Sequence, residues 1–413
     1  MTDHAMTRCL CCDATQLRPV LDLGNQPPAN SYTRTATEQV PAFPLGLNLC
    51  TRCWHAQLSY CVDRRNIFDR YAYVSGTSAT LNRFFTWFAQ SLARLVPSGG
   101  RVLEIAANDG SLIREMQAAG LDCVGVDPAA NIVEAAQKAG LPITCAYWPE
   151  ASAQLAGTFD AIVCMNVVAH VDTPFEFLRE CALKLSRGGV VLVQPSQARM
   201  FENGEFDTIY HEHLSFFNTR SMSRLAARAG LRLVDAFMVK IHGDSPVYVL
   251  QHADEASAPP PVRSAFSTGD FAIDEGLAAY EERVDLYQWD IYERFASHAA
   301  QTLKDVAEAV RQHEARGFEI VFVGAAAKAM TLINAAGIRP TRFLDENPLK
   351  IGLHAPGCGT LIEPLETCRH LRQPALFVLS AWNFRHELAQ KLEALGVPEG
   401  SSFYAYFPEA GVL

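Results

Sequence analysis

Four cysteines in two CxxC pairs, Cys9/Cys12 and Cys50/Cys53, have the residue type and spacing of a zinc site. Each pair fits on one short turn, and two turns supply the four thiolates of a tetrahedral Zn–S₄ centre. The gap from Asp13 to Leu49 is wider than in a compact zinc ribbon, so the metal staples a small domain and not a lone finger. Cys11 lies between the first two ligands, and the spacing selects Cys9 with Cys12. A closed site of this kind is structural, because it keeps no open position for a substrate.

A second group sits in "DTIYHEHLSFF", where Tyr210, His211, Glu212 and His213 follow one another between apolar residues. Read as an extended segment, alternation lets only His211 and His213 share a metal. Read as acid–base chemistry, a histidine titrates near the working pH and a neighbouring phenol or carboxylate orients it. A buried histidine with satisfied hydrogen bonds is an equal alternative. Asn166 and His170 end another apolar strand, where they either face a ligand cleft or act as a cap and a surface residue. Tyr73, Ser75 and Ser78 lie in a polar loop, either reaching over that cleft or forming a solvated turn.

The third group is a ligand turn. Glu104, Asn108, Asp109 and Gly110 stand where an apolar strand meets a helix. In an open parallel sheet, ligands bind at the carboxyl ends of the strands. Asp127 ends the next strand, about 20 residues on, where an acid accepts hydrogen bonds from a ribose diol or simply caps the strand. No full GxGxxG is present, which disfavours a dinucleotide. An acidic turn suits S-adenosylmethionine, which is cationic at sulfur and amine and carries no phosphate.

The elements that must position these residues follow from periodicity. Strands are expected near Pro19–Leu23 and Ala56–Cys61, and a helix over 81–96. From Arg101 the chain alternates strand and helix to about residue 196, which implies a parallel, doubly wound sheet. The stretch 254–270 reads as a linker by composition, and Ala279 to Arg316 as one long helical region. "FEIVFVGAAAKAMTLINAAGI" then restarts the strand–glycine turn–helix pattern, with further strands at "TRFLDEN" and "ALFVLSAW". The fold class is therefore α/β in three parts: a zinc-binding domain over 1–68, a central Rossmann-like domain over 69–253 whose ligand turn suits S-adenosylmethionine, and a C-terminal α/β Rossmann-like domain over 254–413.

At 413 residues, 49% hydrophobic and 19% charged, the chain has ordinary soluble composition and room for several cores. Its net charge of −10, with no basic block, argues against nucleic acid as a partner. No apolar run reaches membrane-spanning length. With no signal segment after Met1 and the remaining cysteines scattered through apolar runs, a reducing cytoplasmic location is expected for a monomer or small homo-oligomer.

Taken together, the cysteine pairs, "YAYVSGTS", "LEIAANDGSL", "MNVVAH", "FDTIYHEHLSFF", "HGDSPVY", "FVGAAAKAMTLINAAGI", "LDENPLKIGLHAPG", "SAWNF" and "YFPEA" resemble the zinc-containing, S-adenosylmethionine-dependent sugar C-methyltransferases of antibiotic pathways. The resemblance spans nearly the whole chain. It implies a structural zinc, with Glu104, Ala106, Asn108, Asp109, Gly110, Asp127, Pro128 and Asn166 on the methyl donor. It implies His213 as the base, Tyr210 and Glu212 beside it, and Tyr73, Asn166 and His170 lining the reaction site. The implied reaction methylates carbon 3 of a dTDP-linked 4-keto-6-deoxy sugar, with the C-terminal domain helping to hold the nucleotide. Another enolisable carbonyl compound, or the nitrogen or oxygen of a small metabolite, is the alternative acceptor. Three departures from the family pattern stand out: Ala106 replaces a usual glycine, "VQPSQARMF" lacks an acidic-Pro-Tyr pattern, and Asp244 replaces a second glycine in "HGDSP".

Overall fold

The computed structural model describes residues 3–63, 67, 76, 78–255 and 261–412. The N-terminal part is a four-stranded antiparallel sheet built from Leu17–Gln26, Phe43–Cys50 and Ala56–Leu58. Its fourth strand, Ser215–Phe216, comes from far along the chain and pairs with Ala56 and Gln57. Leu45, Leu47 and Leu49 alternate along one strand and are all buried, so one face of the sheet is core.

The central sheet has seven strands in the order Leu231–Val239, Ser245–His252, Leu185–Gln194, Phe159–Met165, Arg101–Ile105, Asp122–Asp127, Ile143–Cys145. The five strands from Leu185–Gln194 to Ile143–Cys145 run parallel, and Ser245–His252 pairs antiparallel on both sides. The connection order reverses between Arg101–Ile105 and Phe159–Met165, which opens a crevice at their carboxyl ends. Val102, Leu103 and Ile105 are all buried, as expected of a strand covered on both faces. Val102 packs with the helix Ala79–Leu92. Leu103 and Ile105 join an apolar cluster that also contains residues of the N- and C-terminal parts.

The expected linker is pinned at its C-terminal end. Val262, Ala265 and Phe266 are buried, and Phe266 packs on Phe88 and Trp87 of that helix. The expected long helix is two helices, Leu277–Arg283 and Trp289–Ala315. Asp285 takes a left-handed φ of 56°, and Leu286 N–H donates back to the Glu281 carbonyl at 2.9 Å. This closing pattern ends a helix whatever the apolar periodicity beyond it. The C-terminal sheet runs Ile362–Pro364, Arg342–Asp345, Glu319–Val323, Ala375–Leu379, Ser402–Ala405, Gly411–Val412, parallel except for the last pair. The chain is thus mixed α/β with two Rossmann-like sheets behind a cysteine-bearing domain.

Candidate functional site: a zinc centre, a cofactor cleft and a histidine turn

The two cysteine turns have the same construction. Cys9 N–H donates to Ala14 and Asp13 N–H to Cys9; Cys50 N–H donates to His55 and Trp54 N–H to Cys50. Asp13 and Trp54 share a φ of 61° and reverse the chain at equivalent points. The Sγ atoms of Cys9, Cys12, Cys50 and Cys53 all lie within 4.8 Å of one another, with Cys9 to Cys53 and Cys12 to Cys50 at 3.6 Å. Four thiolates at ~2.3 Å from a tetrahedral zinc stand roughly 3.8 Å apart, so the donor set fits the metal. Cys11 is buried outside this set, and its carbonyl accepts from Arg228 at 2.7 Å.

The cleft at the switch point is walled by Glu104, Ala106, Asn108, Asp109, Asp127, Pro128, Asn166 and His170, with Leu81, Phe85, Trp148, Phe177 and His242. Asp127 is held rigidly: its Oδ2 accepts from Asn108 N–H and its Oδ1 from Ala129 N–H, both at 2.9 Å. Burial pushes its carboxyl up in pKa, and the two backbone donors pull it back. Glu104 is buried, and its Oε2 has no hydrogen-bond partner among the described residues. Burial, and then the charges of Asp127 and Asp109, push its carboxyl well above the usual range. Asn166 Oδ1 is also buried, with no partner among the described residues. Orphaned buried oxygens are rare and require a reason. Three acids converging on one cleft are relieved by a cation, and a sulfonium with an ammonium is such a ligand. The residues present therefore fit S-adenosylmethionine.

Gly110 stands apart from the wall. Its φ of 73° turns the chain into the helix Ser111–Ala118, and a Cβ there would lie 2.5 Å from Leu141. Tyr73 and Ser75 lie outside the described residues. Gly76 donates its N–H to Asp109 Oδ2 at 3.2 Å, which places that residue against the cofactor turn. Ser78 is the N-cap of Ala79–Leu92.

The segment Tyr210–His213 is a turn and not a strand: His213 N–H donates to the Tyr210 carbonyl at 2.9 Å. The alternation expected of an extended segment does not apply. His211 packs edge-on against Phe43 of the N-terminal sheet, whereas His213 packs on His170 with ring centroids 5.0 Å apart. The Glu212 side chain turns away from His213 and accepts from Asn30 Nδ2 at 2.6 Å. Its backbone carbonyl accepts from His170 Nδ1 at 2.6 Å. Burial raises the Glu212 carboxyl to about 7, opposed by Asn30 and by the charge of Lys350.

His213 is set up by two bonds. Its Nδ1 lies 2.9 Å from the Thr208 carbonyl, which can only accept, so Nδ1 carries the proton. Nε2 is then the lone-pair nitrogen and accepts from the Tyr210 hydroxyl at 2.8 Å. Burial, reinforced by His170, pushes its pKa well below the ordinary value, so the ring is neutral. His213 is not itself on the cleft wall; it stands behind His170, which is.

Two residues near this chamber lie in the motifs "HGDSPVY" and "FVGAAAKAMTLINAAGI" but are not among the expected site residues. His242 lines the cleft on a turn whose three residues, His242, Gly243 and Asp244, all have positive φ. Lys328, from the GAAAK stretch, lies 3.5 Å from Glu205 and 4.3 Å from the centre of the Trp382 ring. Two of the three family departures meet in space: Arg199 of "VQPSQARMF" donates from Nε to Asp244 Oδ2 at 2.7 Å. Ala106, the third, adopts a φ of 64°, a conformation that favours glycine.

Family models for a methyltransferase domain, a C-methyltransferase C-terminal domain and a zinc binding domain match residues 80–236, 241–408 and 9–68. The C-methyltransferase NovU of Streptomyces niveus is 28% identical over 382 residues, which is 90% of this chain and 88% of that protein. A ubiquinone biosynthesis O-methyltransferase of Chromobacterium violaceum is 28% identical over 153 residues, covering 33% of this chain and 66% of that one. The crystal structure of magnesium protoporphyrin IX methyltransferase from Synechocystis with bound S-adenosylmethionine aligns over 42% of this chain and 79% of that one, at 15% identity and a TM-score of 0.32.

Proposed function

We propose that this chain, an S-adenosylmethionine-dependent C-methyltransferase with a structural zinc domain, methylates carbon 3 of a dTDP-linked 4-keto-deoxysugar through an enolate. Bound S-adenosylmethionine supplies an electrophilic methyl group on a sulfonium. Asp127 takes the ribose hydroxyls, and Glu104 and Asp109 set a negative potential around the cationic part. Carbon beside a ketone becomes a nucleophile only once its proton is removed, so the chemistry needs a neutral base that holds a lone pair. His213 Nε2 is that base, and the Tyr210 hydroxyl covers its lone pair until an acceptor replaces it. His170 and Asn166 polarise the carbonyl oxygen as charge develops, and one such preorganised donor is worth roughly 3 kcal/mol. Lys328 brings a cation from the C-terminal domain close enough to act on His213 and His242, and it would meet the negative charge of a nucleotide there. The pathway is antibiotic deoxysugar biosynthesis, in the cytoplasm.

The observation that carries this reading is the tautomer of His213, fixed with Nδ1 on the Thr208 carbonyl and Nε2 facing a phenol. An O-methyltransferase acting on an acidic hydroxyl has less need of a desolvated, neutral base. The test is incubation with methyl-labelled S-adenosylmethionine and a panel of dTDP-keto-sugars in deuterium oxide, read by mass spectrometry. A labelled methyl on ring carbon, with deuterium exchange beside the ketone when the donor is left out, is the expected result. Label recovered only on oxygen or nitrogen would overturn it.

A further inference from the structure

The segment that carries His213 is gripped by the C-terminal domain at two points that bracket Thr208. Asp207 is 1% exposed, and its Oδ2 accepts from both Trp382 Nε1 and the Tyr406 hydroxyl at 2.8 Å. The Ile209 carbonyl accepts from Thr331 Oγ1 at 3.1 Å, on the helix Ala327–Ala336. Asp207, Thr208 and Ile209 are consecutive, so the Thr208 peptide is held from either side by groups more than 120 residues away in sequence. Its carbonyl is the acceptor for His213 Nδ1.

The grip is built and not incidental. Trp382 and Tyr406 come from different loops of the C-terminal sheet and converge on one oxygen. The other oxygen, Oδ1, is buried with no partner among the described residues, so the carboxylate is retained although half of it is unsatisfied. A carboxylate buried in this way is costly, and packing alone would not call for it. A neutral imidazole has two tautomers, and the bond made by one nitrogen decides which nitrogen keeps the lone pair.

We propose that Asp207 is a positioning residue, held by Trp382 and Tyr406, through which the C-terminal domain aims the Thr208 carbonyl at His213 and so selects the tautomer with its lone pair on Nε2. The C-terminal domain then has a part in the chemical step, apart from any contact with the acceptor. The functional weight of this rests on His213 being the base; the tautomer itself does not.

Nitrogen NMR of ¹⁵N-histidine-labelled protein tests it, with His213→Gln to assign the signals. Full-length wild type is expected to show His213 as the Nδ1–H tautomer. Tyr406→Phe, which removes one hydroxyl and keeps the ring, and Asp207→Ala are both expected to move His213 toward a mixed or Nε2–H state. Asp207→Asn keeps an acceptor oxygen and is expected to preserve the wild-type signal. S-adenosylmethionine affinity by calorimetry stays within about twofold in each, which reports an intact fold; a wrong tautomer is costly, so turnover falls roughly tenfold or more. If His213 stays Nδ1–H in folded Tyr406→Phe and Asp207→Ala protein, the proposal is overturned; if Asp207→Ala does not fold, Tyr406→Phe decides alone. A shifted tautomer with unchanged turnover would keep the proposal and remove His213 as the base.

Discussion

The chain holds two Rossmann-like crevices built to one plan, and they differ in how the polar atoms around their turns are satisfied. In the central sheet, Asp127 ends the second strand and accepts N–H groups from Asn108, in the turn after the first strand, and from Ala129. In the C-terminal sheet, Asp345 ends the second strand and accepts from Ala325, in the equivalent turn, and from Asn347, each at 2.7 Å. The difference lies in what remains unsatisfied. Around Asp127, the buried oxygens of Glu104 and Asn166 have no partner among the described residues. Around Asp345, the Ala325 carbonyl accepts from Tyr32 at 2.6 Å and Lys350 at 2.7 Å, and Ser380 Oγ donates to the Gly324 carbonyl at 2.8 Å. A Cβ on Gly324 would lie 2.6 Å from Ala381, so the two turns pack closely at that point. The same turn thus binds a ligand where polar atoms are left over, and docks domains where they are used up.

The comparison breaks most sharply at the base. His213→Gln is expected to keep S-adenosylmethionine bound and to lower turnover by roughly 10²-fold or more, the usual share of a general base. His211→Gln, on the N-terminal side of the same turn, is expected to retain most of the activity. Steady-state kinetics with the active acceptor decides between them, and the reverse outcome would move the base. Because His213 is neutral well below the ordinary histidine range, the acid limb of the rate profile is expected below about pH 6.5 and the rate is expected to be flat in His213 above it.

The two strand-end acids sharpen the contrast directly. Asp127→Ala should weaken S-adenosylmethionine by about tenfold or more, since hydrogen bonds to a charged group are worth ~1.5–3 kcal/mol. Asp345→Ala should leave that affinity unchanged and lower stability instead, by about 1–3 kcal/mol for the stranded N–H groups. Calorimetry and denaturant unfolding on both variants read the two effects separately; a donor-affinity loss in Asp345→Ala would erase the distinction.

The junction side of the histidine turn offers a smaller test. The Glu212 carboxyl rises from 4.5 to about 7 on folding, so the native state binds its proton more tightly than the unfolded state does. Stability from this group is full below about pH 4.5 and is lost as pH rises through about 7. Thermal unfolding across that window should show the decline in wild type and a flatter profile in Glu212→Gln. The smallest effect is expected at Ala106→Gly. It relieves a left-handed alanine, worth ~1–2 kcal/mol, against the entropy glycine adds to the unfolded chain, leaving a gain of about 1 kcal/mol or less.

Much of this was legible in the sequence because its signals are local. The CxxC spacing, the period-2 and period-3.6 runs and the acids at strand ends depend on near neighbours along the chain, and the structure places the four thiolates together and Glu104, Asn108, Asp109, Asp127, Asn166 and His170 around one cleft. Three things were decided only in the folded state. Tyr210–His213 is a turn because its flanks are captured from afar: Ser215–Phe216 joins the N-terminal sheet, and Asp207 and Ile209 are held by the C-terminal domain. His211 and His213 part, the first against Phe43 and the second on His170, because a turn does not keep alternate side chains on one face as a strand would. Arg199 and Asp244, two separate oddities along the chain, became one ion pair. Short-range periodicity carries no information about such pairings, since they cost loop closure and are fixed only when several distant groups are satisfied at once.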